Sequence, residues 1–133
     1  MTGHHGVEQE RLLLLDPRFS RAIRLFNTHQ WYACHDELES LWHENQGPMR
    51  TLLQALLQIA VAELHLERQN RQGAVLLMGE GLGRLGRCGA SALGLDLLSL
   101  ADLVGARLQR LQAGASPEDL PAPVLRSSNV DDQ

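Results

Sequence analysis

The chain has 133 residues, 44% apolar and 4% aromatic, with a formal net charge of −4. That is enough for one domain with a real core and too little for two ordinary ones. The acidic balance argues against a nucleic-acid binder, which carries basic surface, and Cys34 and Cys88 stand in no CxxC pattern, which argues against a disulfide framework or a thiolate zinc site.

The opening MTGHHGVEQE has no apolar core of the secretory kind, and no apolar run approaches a membrane span. A cytoplasmic protein without membrane contact is the expectation. Residues 1–9 read as a disordered tail, in which His4 and His5 offer only adventitious metal contact. Residues 10–114 read as one helical domain, and residues 115–133 as a proline-rich, extended or disordered tail.

Asp16-Pro17 is a helix start, an acidic N-cap followed by proline at the first helical position. Phe19, Ala22, Ile23 and Phe26 then give the spacing of a buried face over Pro17 to Thr28. After a polar break the next helix runs over Trp31 to Glu44, with Trp31, Cys34, Leu38, Leu41 and Trp42 as its apolar stripe. His35 lies inside that stripe and Glu39 at its edge. Trp31 and Trp42 read as core side chains rather than as a stacking platform.

Gly47-Pro48 opens the stretch PMRTLLQALLQIAVAELHLER, residues 48–68. It is apolar on nearly every side, the mark of a helix buried by several neighbours. Gln54, Gln58 and His65 break the pattern along one narrow stripe. Beyond a polar turn a fourth helix begins near Gln72 and meets Gly79, Gly81, Gly83, Gly86 and Gly89. These glycines either fray it or, with Gly79, Gly83 and Gly86 on one face, admit a close helix contact. A last helix is expected over Leu95 to Gln112. Pairing Ala33 with Ala74 reveals a weak internal repeat, helix–turn–helix in a tetratricopeptide-like cadence. No strand pattern is convincing. The fold expected is all-α, a compact bundle of about five antiparallel helices around the 48–68 helix.

The segment FNTHQWYACHDELESLW resembles the core pattern FNxGxYFEAHExLExxW of the domain-of-unknown-function 309 family. The match falls on Phe26, Asn27, Ala33, His35, Leu38, Glu39 and Trp42. It continues through Gln54, Gln58, Ala60, Ala62, His65, Arg68 and Asn70, and covers roughly residues 19–85. Asp36 replaces the family's glutamate, Ala55 a glycine and Gln69 the turn glycine. The resemblance implies a small helical bundle with no established activity.

The residues able to carry chemistry are His35, Asp36, Glu39, Gln54, Gln58 and His65. If the second helix packs antiparallel on the third, His35 comes towards His65 and Glu39 towards Gln58. One reading is a buried hydrogen-bond network that fixes helix register, since an unpaired buried polar group costs about 1–3 kcal/mol. A second is a metal site: His35 and Glu39 at i, i+4 with His65 would suit zinc or iron and a hydrolytic water. A third is metal-free, with Glu39 orienting His35 as a general base. A fourth is a small-molecule pocket lined by the same side chains. Arg68, Arg71, Arg84 and Arg87 read as solvated surface. The favoured expectation is a non-enzymatic interaction or scaffold module with a protein partner or a small molecule, able to self-associate through apolar faces. The alternative is a metal-dependent hydrolase using His35, Glu39 and His65.

Overall fold

The computed structural model describes residues 2–128, the side chains of residues 2–5 excepted. Met1 and residues 129–133, parts of the two expected tails, lie outside the described residues. In chain order the elements are α1 (Thr2–Leu15), α2 (Pro17–Asn27), α3 (Trp31–Glu44), α4 (Gly47–Glu67), α5 (Arg71–Leu85), β1 (Ser91–Ala92), β2 (Leu95–Asp96) and α6 (Leu97–Gln112).

The all-α expectation holds, and α4 is the central helix. Its buried side chains include Leu52, Leu53, Leu56, Ile59 and Ala60, all at 0% exposure. Contacts place its neighbours antiparallel to it. Arg50 near its start covers Trp42 at the end of α3, and Arg68 just past its end covers Tyr32 at the start of α3. On the other side Gln58 bonds to Glu80 and Arg84 of α5.

Helix α2 is capped as its sequence dictates. Asp16 Oδ1 accepts from Arg18 N at 2.8 Å, with Pro17 at the first helical position. The Arg18 guanidinium bridges Asp16, Ser40 and Glu44 and so ties the start of α2 to the end of α3. That guanidinium holds the Asp16 carboxyl below its ordinary range.

Some elements depart from the sequence reading. Residues 2–9, read as tail, belong to α1, which docks through buried Leu13 and through Glu10 Oε2, acceptor of Leu93 N at 2.8 Å. With α1 the bundle has six helices among the described residues. Residues 91–96 form a two-strand hairpin on a Leu93-Gly94 turn, both at positive φ (54° and 70°), the twist-matched geometry for a two-residue connection. Such short strands leave no alternation for a sequence pattern to show.

The glycine-rich helix is continuous from Arg71 to Leu85, and its close contact is at a different glycine. A side chain on Gly81 would meet Ile59 at 3.0 Å and the Ala55 carbonyl at 3.2 Å, whereas Gly79 and Gly83 face open space. Tertiary packing on α4 outweighs the weak propensity of the segment.

The internal repeat is visible as two similar turns. At the end of α2, His29 N donates to Phe26 O and Gln30 N to Leu25 O; at the end of α4, Gln69 N donates to Leu66 O and Asn70 N to His65 O. His29 and Gln69 both take left-handed backbone, φ 62° and 60°. This equivalence sets Ala33 against Gly73, one residue off the expected pairing with Ala74.

The C-terminal segment turns at residues 117–120, runs on without helix to the Leu95–Ser127 bridge, and is strapped to the body. Asn27 donates through Nδ2 to Leu125 O (3.0 Å) and accepts Leu125 N at Oδ1 (2.7 Å). Asp96 N donates to Arg126 O and Ser128 N to Gly94 O. Its own Pro117, Pro123 and Leu125 are buried against the body.

Candidate functional site

The six side chains singled out from the sequence sort into two groups. Helical spacing sets Gln54, Gln58 and His65 on one stripe of α4 and His35 and Glu39 on one stripe of α3. The two helices are joined at both ends by arginine over an aromatic ring: Arg50 at 3.9 Å from the Trp42 centroid, Arg68 at 5.8 Å from that of Tyr32. None of the six is buried. They lie half-buried or exposed along the α3–α4 boundary, a surface furrow, rather than in an interior network.

Within that furrow the polar groups find local partners. His35 Nδ1 lies 3.2 Å from Asp36 Oδ1, and its Nε2 lies 3.7 Å from Glu39 Oε2. The Tyr32 ring tilts over His35 at 6.2 Å. Gln58 Nε2 donates to Glu80 Oε1 (2.9 Å) while its Oε1 accepts from Arg84 Nη1 (3.1 Å), so it links α4 to α5. His65 Nδ1 accepts from Asn70 Nδ2 at 3.2 Å, and Asn70 Oδ1 accepts Gly73 N as the cap of α5. His65 therefore braces the α4–α5 turn. The Gln54 side chain makes no hydrogen bond with the described residues.

The expected donor set is not assembled. Among the described residues no group of three or more histidine, cysteine or carboxylate side chains is placed to hold a metal ion, so His35, Glu39 and His65 do not converge. The reason is register: His35 turns both ring nitrogens to carboxylates of its own helix, and His65 turns to the α4–α5 loop. Cys34, beside His35, is buried with Sγ 3.4 Å from Ala22 O, and burial pushes its thiol up to about 12. A thiol so protonated is no nucleophile at neutral pH.

The most deeply set charges lie elsewhere, and the sequence reading missed them. Glu63 on α4 and Arg107 on α6 form a two-pronged pair, Nε and Nη2 each 2.7 Å from a carboxylate oxygen, at 4% and 7% exposure. Arg107 Nη1 also donates to the carbonyls of Pro117, Leu120 and Pro121, at 3.1, 3.3 and 3.4 Å. One arginine thus joins the central helix, the last helix and the C-terminal strap. A signal existed: Glu63 falls in an otherwise apolar stretch, and Arg107 falls on the stripe Leu100, Val104, Leu111. A charge on a buried stripe needs a partner of opposite sign.

This pair forms one wall of a cavity of about 500 Å³ at the end of the bundle where the α2–α3 and α4–α5 turns meet. Trp31, 4% exposed, lines it with the His29 ring stacked on it at 5.4 Å. Glu67, Arg71 and Glu118 also line it. Arg71 Nη2 donates to Leu111 O and Ala115 O, both at 2.8 Å, which closes the strap over this end.

Among the described residues no helix is long and apolar enough to cross a membrane. Residues 19–77 match the model of the family described as Domain of unknown function (DUF309). That match begins at buried Phe19 and ends within α5, so it contains the whole furrow except its Glu80 and Arg84 edge. It leaves out α1, α6 and the strap. No curated protein matches the chain.

Proposed function

We propose, from the premise that residues 19–77 are a domain of the DUF309 family, that this protein is a non-enzymatic interaction module working through the α3–α4 furrow. The observation that carries this reading is Tyr32. It is an aromatic ring 58% exposed, held between Arg68 and His35 on a face that also offers Asp36 and Glu39. Tyrosine, tryptophan and arginine are the residues enriched at protein interfaces and among their hot spots. A ring already oriented by its neighbours loses little freedom on binding. The hydrolase reading has weaker support, because it needs His35, Glu39 and His65 on one ion; His35 and Glu39 lie together on α3, but His65 is bonded to Asn70 at the α4–α5 turn.

A photo-crosslinking amino acid in place of Tyr32, expressed in the native cell, should trap a discrete partner. The same group in place of Leu98, exposed on α6, should not. Equal trapping at both sites, or none at Tyr32, contradicts the interaction reading. Stoichiometric metal in untagged protein, lost in His35→Ala, would restore the hydrolase reading.

A further inference from the structure

We infer that the cavity beside Trp31 is a second binding site, built for a small organic cation: a protonated amine on an apolar body. The inference is independent of the furrow. Its volume, about 500 Å³, falls in the range of ligand sites. Its walls are fixed in place by buried groups: Trp31, the Glu63–Arg107 pair, and Pro117 of the strap.

The sign of the ligand follows from which charges are already used. Arg107 is neutralised by Glu63, and its remaining donors go to three carbonyls. Arg71 is drawn to the carbonyls of Leu111 and Ala115. Glu67 and Glu118 also line the cavity, and neither carboxylate has an ion-pair or hydrogen-bond partner among the described residues. Three carboxylates thus stand against two guanidiniums. Arg71 keeps its charge, but its donor is turned to the strap carbonyls; the lining is net negative by one, with Glu67 and Glu118 unpaired, and an ammonium is the complement they lack.

The apolar body follows from the rest of the lining. Trp31 and the side chains of Leu66 and Leu111 present carbon surface next to those carboxylates. At the same rim the fold keeps His29 and Gln69 in left-handed backbone, φ 62° and 60°. Glycine would hold either turn without the roughly 1–2 kcal/mol steric cost of a side chain there. Both residues line the cavity.

The test is a titration of uniformly ¹⁵N-labelled full-length protein with phenethylammonium, and in parallel with 3-phenylpropionate, a similar body of opposite charge. The two indole N–H resonances are assigned from a Trp42→Phe spectrum. Phenethylammonium should shift the Trp31 indole saturably and leave that of Trp42 in place, while 3-phenylpropionate shifts neither. Glu67→Gln with Glu118→Gln, both on exposed side chains, should weaken binding at least about tenfold, as expected for loss of a charged hydrogen bond. Glu8→Gln on α1 should leave it unchanged. No saturable shift with phenethylammonium up to tens of millimolar overturns the inference. So does an equal response to both probes, or an affinity unaffected by the double substitution.

Discussion

The α3–α4 furrow and the Trp31 cavity hold polar side chains in opposite ways. In the furrow the groups are half-buried or exposed, and all but Gln54 are paired within their own helix or across one helix boundary. At the cavity a single buried arginine holds a helix, a carboxylate and three carbonyls of a distant segment. Exposed pairs contribute little to stability because water competes for them. A buried pair whose partner is removed leaves a charge with nothing to replace its solvent. Side chains of similar chemistry should therefore be expendable for folding in one region and indispensable in the other.

The sharpest way to break that comparison is Arg107→Ala. It should cost about 3–5 kcal/mol by stranding Glu63. Denaturant unfolding measures the loss, and hydrogen exchange should show reduced protection in residues 115–128. A loss under about 1 kcal/mol would place the pair with surface pairs.

Asn27→Ala tests the strap without touching the ion pair. It frees both the N–H and the carbonyl of Leu125, and should cost about 1–3 kcal/mol in the same measurement. Asn27 belongs to the matched family segment, while Leu125 lies outside it. A neutral outcome would mean that the strap is held by its buried prolines and Leu125 alone.

Acid sharpens the comparison from a third place. Hydrogen bonding to Arg18 lowers the Asp16 carboxyl in the folded state. Its contribution is therefore present above the ordinary carboxylate range and is lost as pH falls through the lowered value. Asp16→Asn should flatten the acid limb of a stability–pH curve. Neither His35→Ala nor Gln58→Ala should alter that limb.

Gln69→Gly relaxes the left-handed turn on the cavity rim and should raise stability by about 1 kcal/mol. His35→Ala is the smallest effect, within about 0.5–1 kcal/mol, because its carboxylate contacts are solvent-exposed. A larger loss from His35→Ala would show a stabilising role that the furrow geometry does not display.

Much of this bundle is legible in the chain. The Asp16-Pro17 start and the apolar period of α2 and α3 fix their ends to within a residue. The near-continuous apolar surface of α4 marks it as central. Helix α1 is not legible, because Val7, Leu12, Leu14 and Leu15 remain exposed and leave only Leu13 to report burial. The run of glycines after Met78 suggests a break that packing of Gly81 on α4 prevents.

The candidate site is legible only as a stripe. Spacing places His35, Glu39, Gln58 and His65 on facing helices, but the last ångströms depend on rotamers and on competing partners. Asn70 captures His65, and α5 captures Gln58. The Glu63–Arg107 pair was readable in principle from two charges on two buried stripes. The strap's carbonyls carry no sequence signal, since any residue supplies one.

The central claim is that coupling resides in the buried pair and not in the furrow, and a double-mutant cycle measures coupling directly. The account predicts an interaction energy of at least about 2 kcal/mol between Glu63→Gln and Arg107→Gln in denaturant unfolding. It predicts no more than about 0.5 kcal/mol between His35→Ala and Glu39→Ala. A cycle in which the furrow pair couples more strongly than Glu63 with Arg107 would contradict it.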